Sequence, residues 1–260
     1  MKKLLSLLFF YCMAAHAQKD TKAPVKMEGV YAMTKQVFNN SIKDSVLPTK
    51  QLKIFNGRYV MYAAPVSPSD SMASFGMGNY RVENGKVIEY FFYRASDGAQ
   101  KDTTVLAIEK LPNGYKQVIV FPPYHDTVYT LIEEYDKIDR PTVSPIDGAW
   151  RLTKSYFVRT NGDTGFNKVT QYKMFYNGHF IWGAGFVDSA SNKNKGVFGY
   201  GNFKMNGNKL TETNTNSSYV SQLINKPVDL DIKFVSKDEY IQTIIWPNNQ
   251  KAVEFYSRMK

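Results

Sequence analysis

Phe198-Gly199-Tyr200-Gly201-Asn202-Phe203-Lys204 has a second copy in this chain, Phe75-Gly76-Met77-Gly78-Asn79-Tyr80-Arg81. Each copy runs into a turn, Asn84-Gly85 in the first and Gly207-Asn208 in the second. Each then continues Lys-apolar-x-Glu, as Lys86-Val87-Ile88-Glu89 and Lys209-Leu210-Thr211-Glu212. A long-period internal repeat decides the architecture before any local reading does. Outward from it, Gly29-Val30-Tyr31-Ala32-Met33-Thr34-Lys35 is matched by Gly148-Ala149-Trp150-Arg151-Leu152-Thr153-Lys154. Lys53-Ile54-Phe55 is matched by Lys173-Met174-Phe175, and Leu131-Ile132-Glu133-Glu134-Tyr135-Asp136-Lys137 by Ala252-Val253-Glu254-Phe255-Tyr256-Ser257-Arg258. The 260 residues therefore divide into two ordinary domains, expected at 29–139 and 148–260. Pro141 and Pro145 mark a short stiff linker at 140–147.

Inside each half, short segments rich in Tyr, Phe, Val, Ile and Thr alternate with turn residues, the pattern of consecutive strands. The second half shows eight, at 149–158, 169–176, 179–187, 197–205, 209–216, 228–235, 240–246 and 252–258. Asn177-Gly178 has the composition of a type I′ hairpin turn. Asn56-Gly57, Asn84-Gly85 and Asn113-Gly114 stand between strand-like runs in the first half. Equating Asn56-Gly57 with Asn177-Gly178 makes Arg58 the twin of His179. One short helix is expected at 217–224, stopped before Pro227. Eight sequential strands with tight turns form a meander, and closing it removes the exposed edges. The expected fold is all-β: two consecutive eight-stranded antiparallel up-and-down barrels. A barrel of that size holds a side-chain core or one small ligand.

Gly148-Ala149-Trp150 at the start of a first strand resembles the Gly-x-Trp signature of lipocalins. In that family the Trp plugs the closed end of the barrel and an Arg near the end of the last strand packs over it. Arg258 matches that position, and the contact would be a cation–π stack. In the first half Gly29 is kept, while Tyr31 replaces the Trp and Lys137 replaces the Arg. The resemblance covers both halves. It implies a tandem of lipocalin-like domains that carry small apolar ligands, although fold does not fix function.

Lys2 and Lys3 precede an apolar run at 4–14, and Ala15-His16-Ala17 fits the small-x-small cleavage rule. Residues 1–17 thus read as a signal peptide, Gln18 as the first mature residue, and 18–28 as a polar lead-in. The apolar run falls short of the roughly 20 residues of a membrane span. The expected location is periplasmic or secreted. Cys12, the only cysteine, lies in the leader behind Tyr11 rather than behind the small residues of a lipoprotein site. A mature chain without thiols has no disulfides, thiol nucleophile or thiolate metal site. The formal charge of +10 falls by two once Lys2 and Lys3 leave. Its dispersed positive charges suit a solvated surface or an acidic partner such as a lipid headgroup or polysaccharide. No nucleic-acid recognition motif is present.

Two histidines remain, His125 and His179, one per half, and neither is set in a nucleophile–base–acid arrangement. No metal-ligand spacing, catalytic residue or cofactor motif is found. Gly199-Tyr200-Gly201 is no dinucleotide fingerprint, because no helix follows it. Such glycines let strands bend, or let a neighbouring backbone or ring lie close. Aromatic residues make up 15% of the chain, enough to line cavities as well as fill cores. Strand alternation puts Phe180, Trp182 and Phe186 on one face and Ile181, Gly183 and Gly185 on the other. Trp182 is then a platform for a ligand or part of a filled aromatic core. Tyr59, Met61, Phe180 and Tyr200 are further cavity candidates. Counting in twos from Tyr31 and Trp150 points Lys35 and Lys154 inward. An inward lysine needs an anion, such as a ligand carboxylate, an exit to the rim, or a bulge that flips the parity. The equivalent Glu89 and Glu212 are a salt bridge between strands or a polar ligand contact. The chain is read as an exported non-enzymatic binding protein for a small apolar or amphipathic ligand, including an acidic one. The alternative is a structural or interaction module whose filled barrels meet protein or glycan partners.

Overall fold

The computed structural model describes residues 26–260 apart from 41, 48, 49, 68, 69, 124, 126, 140, 167, 220, 247 and 248. The expected leader, most of the lead-in and Arg140 of the linker lie outside the described residues. Nine strands build the first half: β1 (Gly29–Asn39), β2 (Asp44–Val46), β3 (Leu52–Asn56), β4 (Tyr59–Ser67), β5 (Asp70–Glu83), β6 (Lys86–Arg94), β7 (Gly98–Leu111), β8 (Gly114–Val120) and β9 (Thr130–Lys137). The meander β3 to β9 starts beside β1 and ends by pairing back onto it, so eight strands close into a barrel. β2 is a short flap on the far half of β1.

The second half repeats this with β10 (Gly148–Val158), flap β11 (Thr164–Phe166), β12 (Thr170–Tyr176), β13 (His179–Asp188), β14 (Lys193–Asn206), β15 (Lys209–Ser217), β16 (Pro227–Ser236), β17 (Glu239–Ile245) and β18 (Lys251–Arg258). β18 closes onto β10. The architecture is the expected one. Two details differ. The flap β11 was not legible, because three residues carry no periodicity. The helix expected at 217–224 shrinks to one 3-10 turn, Ser221–Leu223, because Ser217 stays paired with Gly199 in the sheet.

Turn chemistry sets the hairpins, with one change of register. Asn177 and Gly178 both take positive φ, 47° and 77°, as a type I′ turn requires. In the first half Asn56 is the last strand residue, paired with Tyr59, and Gly57 alone turns left-handed at φ 59°. Since Tyr176 pairs with His179, the twin of His179 is Tyr59 and not Arg58. Matching the two Asn-Gly pairs misleads by one residue, because two turn types share the dipeptide.

A bulge also moves the two lysines expected inside. The pairing of β1 with β9 shifts between Met33 and Lys35, and that of β10 with β18 between Leu152 and Lys154. The extra residues, Thr34 and Thr153, donate their hydroxyls to the carbonyls of Glu134 (3.1 Å) and Phe255 (3.0 Å). One extra residue flips every side chain beyond it to the other face. Lys35 is therefore exposed against Glu134 (3.4 Å). Lys154 is exposed over the rings of Tyr156 and Phe255. Neither points into a barrel.

The barrels lie side by side, like ends together. Asn56 at the closed end of the first reaches the Phe175 carbonyl at the closed end of the second. At the open ends the β6–β7 turn at Gly98 abuts Asn194. Between them the outer faces of β3, β4 and β5 meet those of β12, β13 and β14 in one apolar cluster that includes Ile54, Met61, Phe75, Met77, Tyr93, Tyr172, Met174, Ile181, Phe198 and Tyr200. Gly183 and Gly196 leave a slot for the Phe75 ring, and Gly185 leaves room for Tyr93. A Cβ at any of these would collide with barrel 1. Tyr59, Met61 and Tyr200, expected in cavities, belong to this inter-barrel core. Burial there pushes the Tyr200 phenol up to about 12.

Candidate functional site

Each barrel interior is built in three levels. The lowest is the plug. Trp150 is fully buried, its indole N–H donates to the Ile146 carbonyl (2.7 Å), and Arg258 lies over its ring at 4.1 Å. Arg258 is strand partner to Trp150 and also donates to the Asp147 and Pro145 carbonyls (2.6 and 3.2 Å). This ties the linker to the barrel floor. Gly148 sits at φ 139°, where any Cβ would strike the guanidinium. In the first barrel Tyr31 pairs with Lys137, which reaches back to the Glu28 carbonyl (3.1 Å), and Gly29 is hemmed in by the same lysine.

The middle level is polar, and it is written twice. Lys53 and Lys173 lie one strand step in from Phe55 and Phe175, and both are almost wholly buried. Lys53 Nζ meets Glu89 Oε1 at 2.9 Å and Gln117 Oε1 at 3.4 Å. Lys173 Nζ meets Glu212 Oε1 at 2.9 Å and Gln242 Oε1 at 3.0 Å. Gln117 and Gln242 pass the chain on, donating to Glu133 and Glu254. Those carboxylates also accept from the hydroxyls of Tyr135 (2.9 Å) and Tyr256 (2.7 Å), which take a further bond from Gln51 and Gln171. Burial holds both phenols well above their usual 10.0, so they remain donors. Glu212 is thus a salt-bridge partner of Lys173, and Glu89 of Lys53. Such pairs persist in a low-dielectric interior because each ammonium is held by both a carboxylate and an amide carbonyl.

Each layer holds one ammonium and two carboxylates, so the second carboxylate lacks a cation of its own. In barrel 2 burial raises Glu254 above the usual 4.5, with Lys173 opposing. The folded chain then binds a proton more tightly than the unfolded one. Stability should fall as pH rises from about 4.5 to the raised value and level off above it. Glu254→Gln should remove that component, seen as a flatter pH dependence of urea midpoints than the parent between pH ~4 and ~7.

The upper level differs between the barrels. In barrel 1, Gln36 stands on the layer and donates to Glu133 (2.7 Å), which is 4% exposed. Phe91 and Arg94 fill the space above, Arg94 held by Asp102 (2.7 Å) with its guanidinium 4.8 Å over Phe91. Strand register puts smaller residues at all three positions in barrel 2. Ser155 pairs with Glu254 as Gln36 does with Glu133. Asn214 replaces Phe91 opposite Gly201 and Gly78, and Ser217 replaces Arg94 opposite Gly199 and Gly76. Glu254 is correspondingly half-buried. Trp182, beside Gly199 and Asn214, is also half-buried, and the buried Asn214 Oδ1 accepts no hydrogen bond among the described residues. Phe180 sits below, packed against Phe175 as core.

The sequence-level candidates therefore separate. Trp182 and Glu212 face the interior of barrel 2, with Glu212 in the polar layer. Phe180, Trp150 and Arg258 belong to its floor. Lys35, Lys154, Tyr59, Met61 and Tyr200 lie outside. The residues missed, Lys53 and Lys173, do carry a signal. Each stands two residues before a repeated Phe, on its inward parity. Two open grooves of about 540 and 380 Å³ lie on the surface, the first by Tyr59, Arg151 and Lys260 and the second by Arg159, Gly162 and Lys251. Among the described residues no cluster of His, Cys, Asp or Glu is placed to hold a metal ion.

No protein-family model matches the chain, and neither does any curated protein. Among solved structures it is similar to a lipocalin-like protein from Bacteroides uniformis, at 12% identity and a TM-score of 0.30, over 45% of this chain and 100% of that one. It is also similar to a protein of unknown function of the DUF3598 family from Nostoc punctiforme, at 10% identity and a TM-score of 0.28, over 89% of this chain and 96% of that one. The assignment rests on the strand order itself. By its two closed meanders of eight strands the chain is a tandem of antiparallel up-and-down barrels, and Arg258 stacked on Trp150 gives the second the floor expected of a lipocalin-like barrel.

Proposed function

We propose that this is an exported, non-enzymatic binding protein in which barrel 2 takes the ligand and barrel 1 is a filled structural partner. The observation that supports this is the difference between two copies of one layer: Gln36, Phe91 and Arg94 stand over it in barrel 1, and the smaller Ser155, Asn214 and Ser217 take their places in barrel 2, where Glu254 is half-buried. The groups offered to an occupant are the face of Trp182, the free carbonyl of Asn214 and the carboxyl of Glu254. All the polar ones accept hydrogen bonds. The fitting ligand is a small apolar molecule with an amine or another hydrogen-bond donor. An acidic ligand loses its expected cation, because Lys154 is outside and Lys173 is already held by Glu212 and Gln242.

Residues 18–260 should bind a dansyl alkylamine, read by energy transfer from tryptophan, and bind anilinonaphthalene sulfonate more weakly. Ser155→Gln, which copies barrel 1, should weaken the amine about tenfold or more without lowering Tm, since a buried ligand contact of this size is worth at least ~1.4 kcal/mol. Trp182→Ala should act in the same direction. Equal affinity in Ser155→Gln and the parent would refute the assignment to barrel 2. Native mass spectrometry of protein from an exporting bacterial host would then show whether any molecule is carried at all.

A further inference from the structure

We infer that the end of the molecule carrying both barrel mouths docks on an anionic lipid surface. Up-and-down topology sends alternate loops to opposite ends, and the like-end packing of the barrels puts both open ends on one side. Of the fourteen large apolar side chains exposed among the described residues, ten stand at this end or on the flaps beside it. Ile42 (90%), Val46 (71%) and Val120 (64%) ring the first mouth; Phe166 (69%), Val187 (60%) and Ile245 (54%) ring the second. Among the described residues, the large apolar ones exposed at the closed end are Ile138, Val143 and Val235. Such a one-sided concentration is not the scatter of single apolar residues that any surface shows.

The charges between these tips identify the partner. Lys43, Lys101, Arg159, Lys193 and Lys251 stand around the two mouths, exposed, and none is in an ion pair among the described residues. Among the described acids at this end, two are in ion pairs and three accept hydrogen bonds from neutral neighbours. Asp102 and Asp188 are held by Arg94 and Lys195. Asp44, Asp97 and Asp163 accept from Asn39, Ser96 and Asn161. Apolar tips among cations outside any ion pair match a bilayer of anionic lipid, which takes the tips below its headgroups and the cations among them. A second copy would present the same positive face, and protein interfaces are poor in lysine. The inference is independent of the occupant of barrel 2.

The test is sedimentation of residues 18–260 with phosphatidylcholine vesicles, with and without phosphatidylglycerol. The apolar stretch at 4–14 is left out because it would enter bilayers by itself. The chain should sediment with the phosphatidylglycerol vesicles and lose about tenfold or more in affinity for phosphatidylcholine alone. Ile42→Ser/Phe166→Ser and Lys43→Glu/Lys251→Glu should each weaken binding by about tenfold, with circular dichroism and Tm unchanged. All four positions are exposed, so folding is spared. Absence of binding to both vesicles, or binding that both variants retain, would overturn the inference. Concentration-dependent self-association without vesicles, lost in Ile42→Ser/Phe166→Ser, would assign the face to a second copy instead.

Discussion

Lys173→Met should lower the stability of barrel 2 by about 3–5 kcal/mol, because it leaves Glu212 buried without its cation. Lys173 is 3% exposed and its ammonium contacts Glu212 and Gln242. Methionine keeps the length and volume of the stem, so the loss is one of charge rather than of packing. Urea unfolding at neutral pH measures it. Loss of one cation also leaves Glu254 with less to oppose its proton uptake, so the deficit should shrink as pH falls and the carboxylates protonate. Lys173→Met with Glu212→Leu should recover much of the deficit, since an apolar replacement of a whole buried pair is often close to neutral. Lys53→Met should behave alike through Glu89. A loss under about 1 kcal/mol would mean that water enters the layer and screens the pair.

Phe75→Ala should cost about 3–5 kcal/mol, the usual range for deleting a fully buried ring. The ring is 0% exposed and lies between barrels, in the slot left by Gly183 and Gly196 and stacked on Tyr93 at 5.7 Å. Gly183→Ala should also destabilise, because its methyl would collide with the Phe75 ring. The two changes compete for one space, so the double variant should lose less than the sum of the singles. Additive losses would show that the slot is not a shared contact. The same cycle tests whether the barrels are one cooperative unit. If they are, Phe75→Ala lowers a single transition, and if not it leaves two separate ones.

The repeat alone determined much of this protein. The pairing of Phe198–Lys204 with Phe75–Arg81, the Asn-Gly turns and the strand alternation are local signals, and they sufficed for two closed eight-stranded barrels. Gly148, Trp150 and Arg258 are matched to a plug through the resemblance of Gly148-Ala149-Trp150 to the lipocalin signature, and all three sit near strand ends. The Gly-x-Gly copies also behave as local stereochemistry demands. Gly199 and Gly76 lie under the rings of Trp182 and Tyr62, and Gly201 and Gly78 lie against the backbones of Thr213 and Tyr90.

Tertiary structure decided what faces what. Strand parity is read by counting, and one extra residue at Thr34 or Thr153 reverses the count with no mark in the sequence. That is why counting points Lys35 and Lys154 inward while the fold leaves both outside. Outer-face apolar residues such as Met61 and Tyr200 look the same as inner ones until the partner barrel covers them. The difference between the mouths depends on aligning Ser155, Asn214 and Ser217 with Gln36, Phe91 and Arg94. Bulges shift that alignment, so only the hydrogen-bonded register supplies it. A sequence carries the period of its strands, but the face each residue presents is set by pairings between residues far apart in the chain.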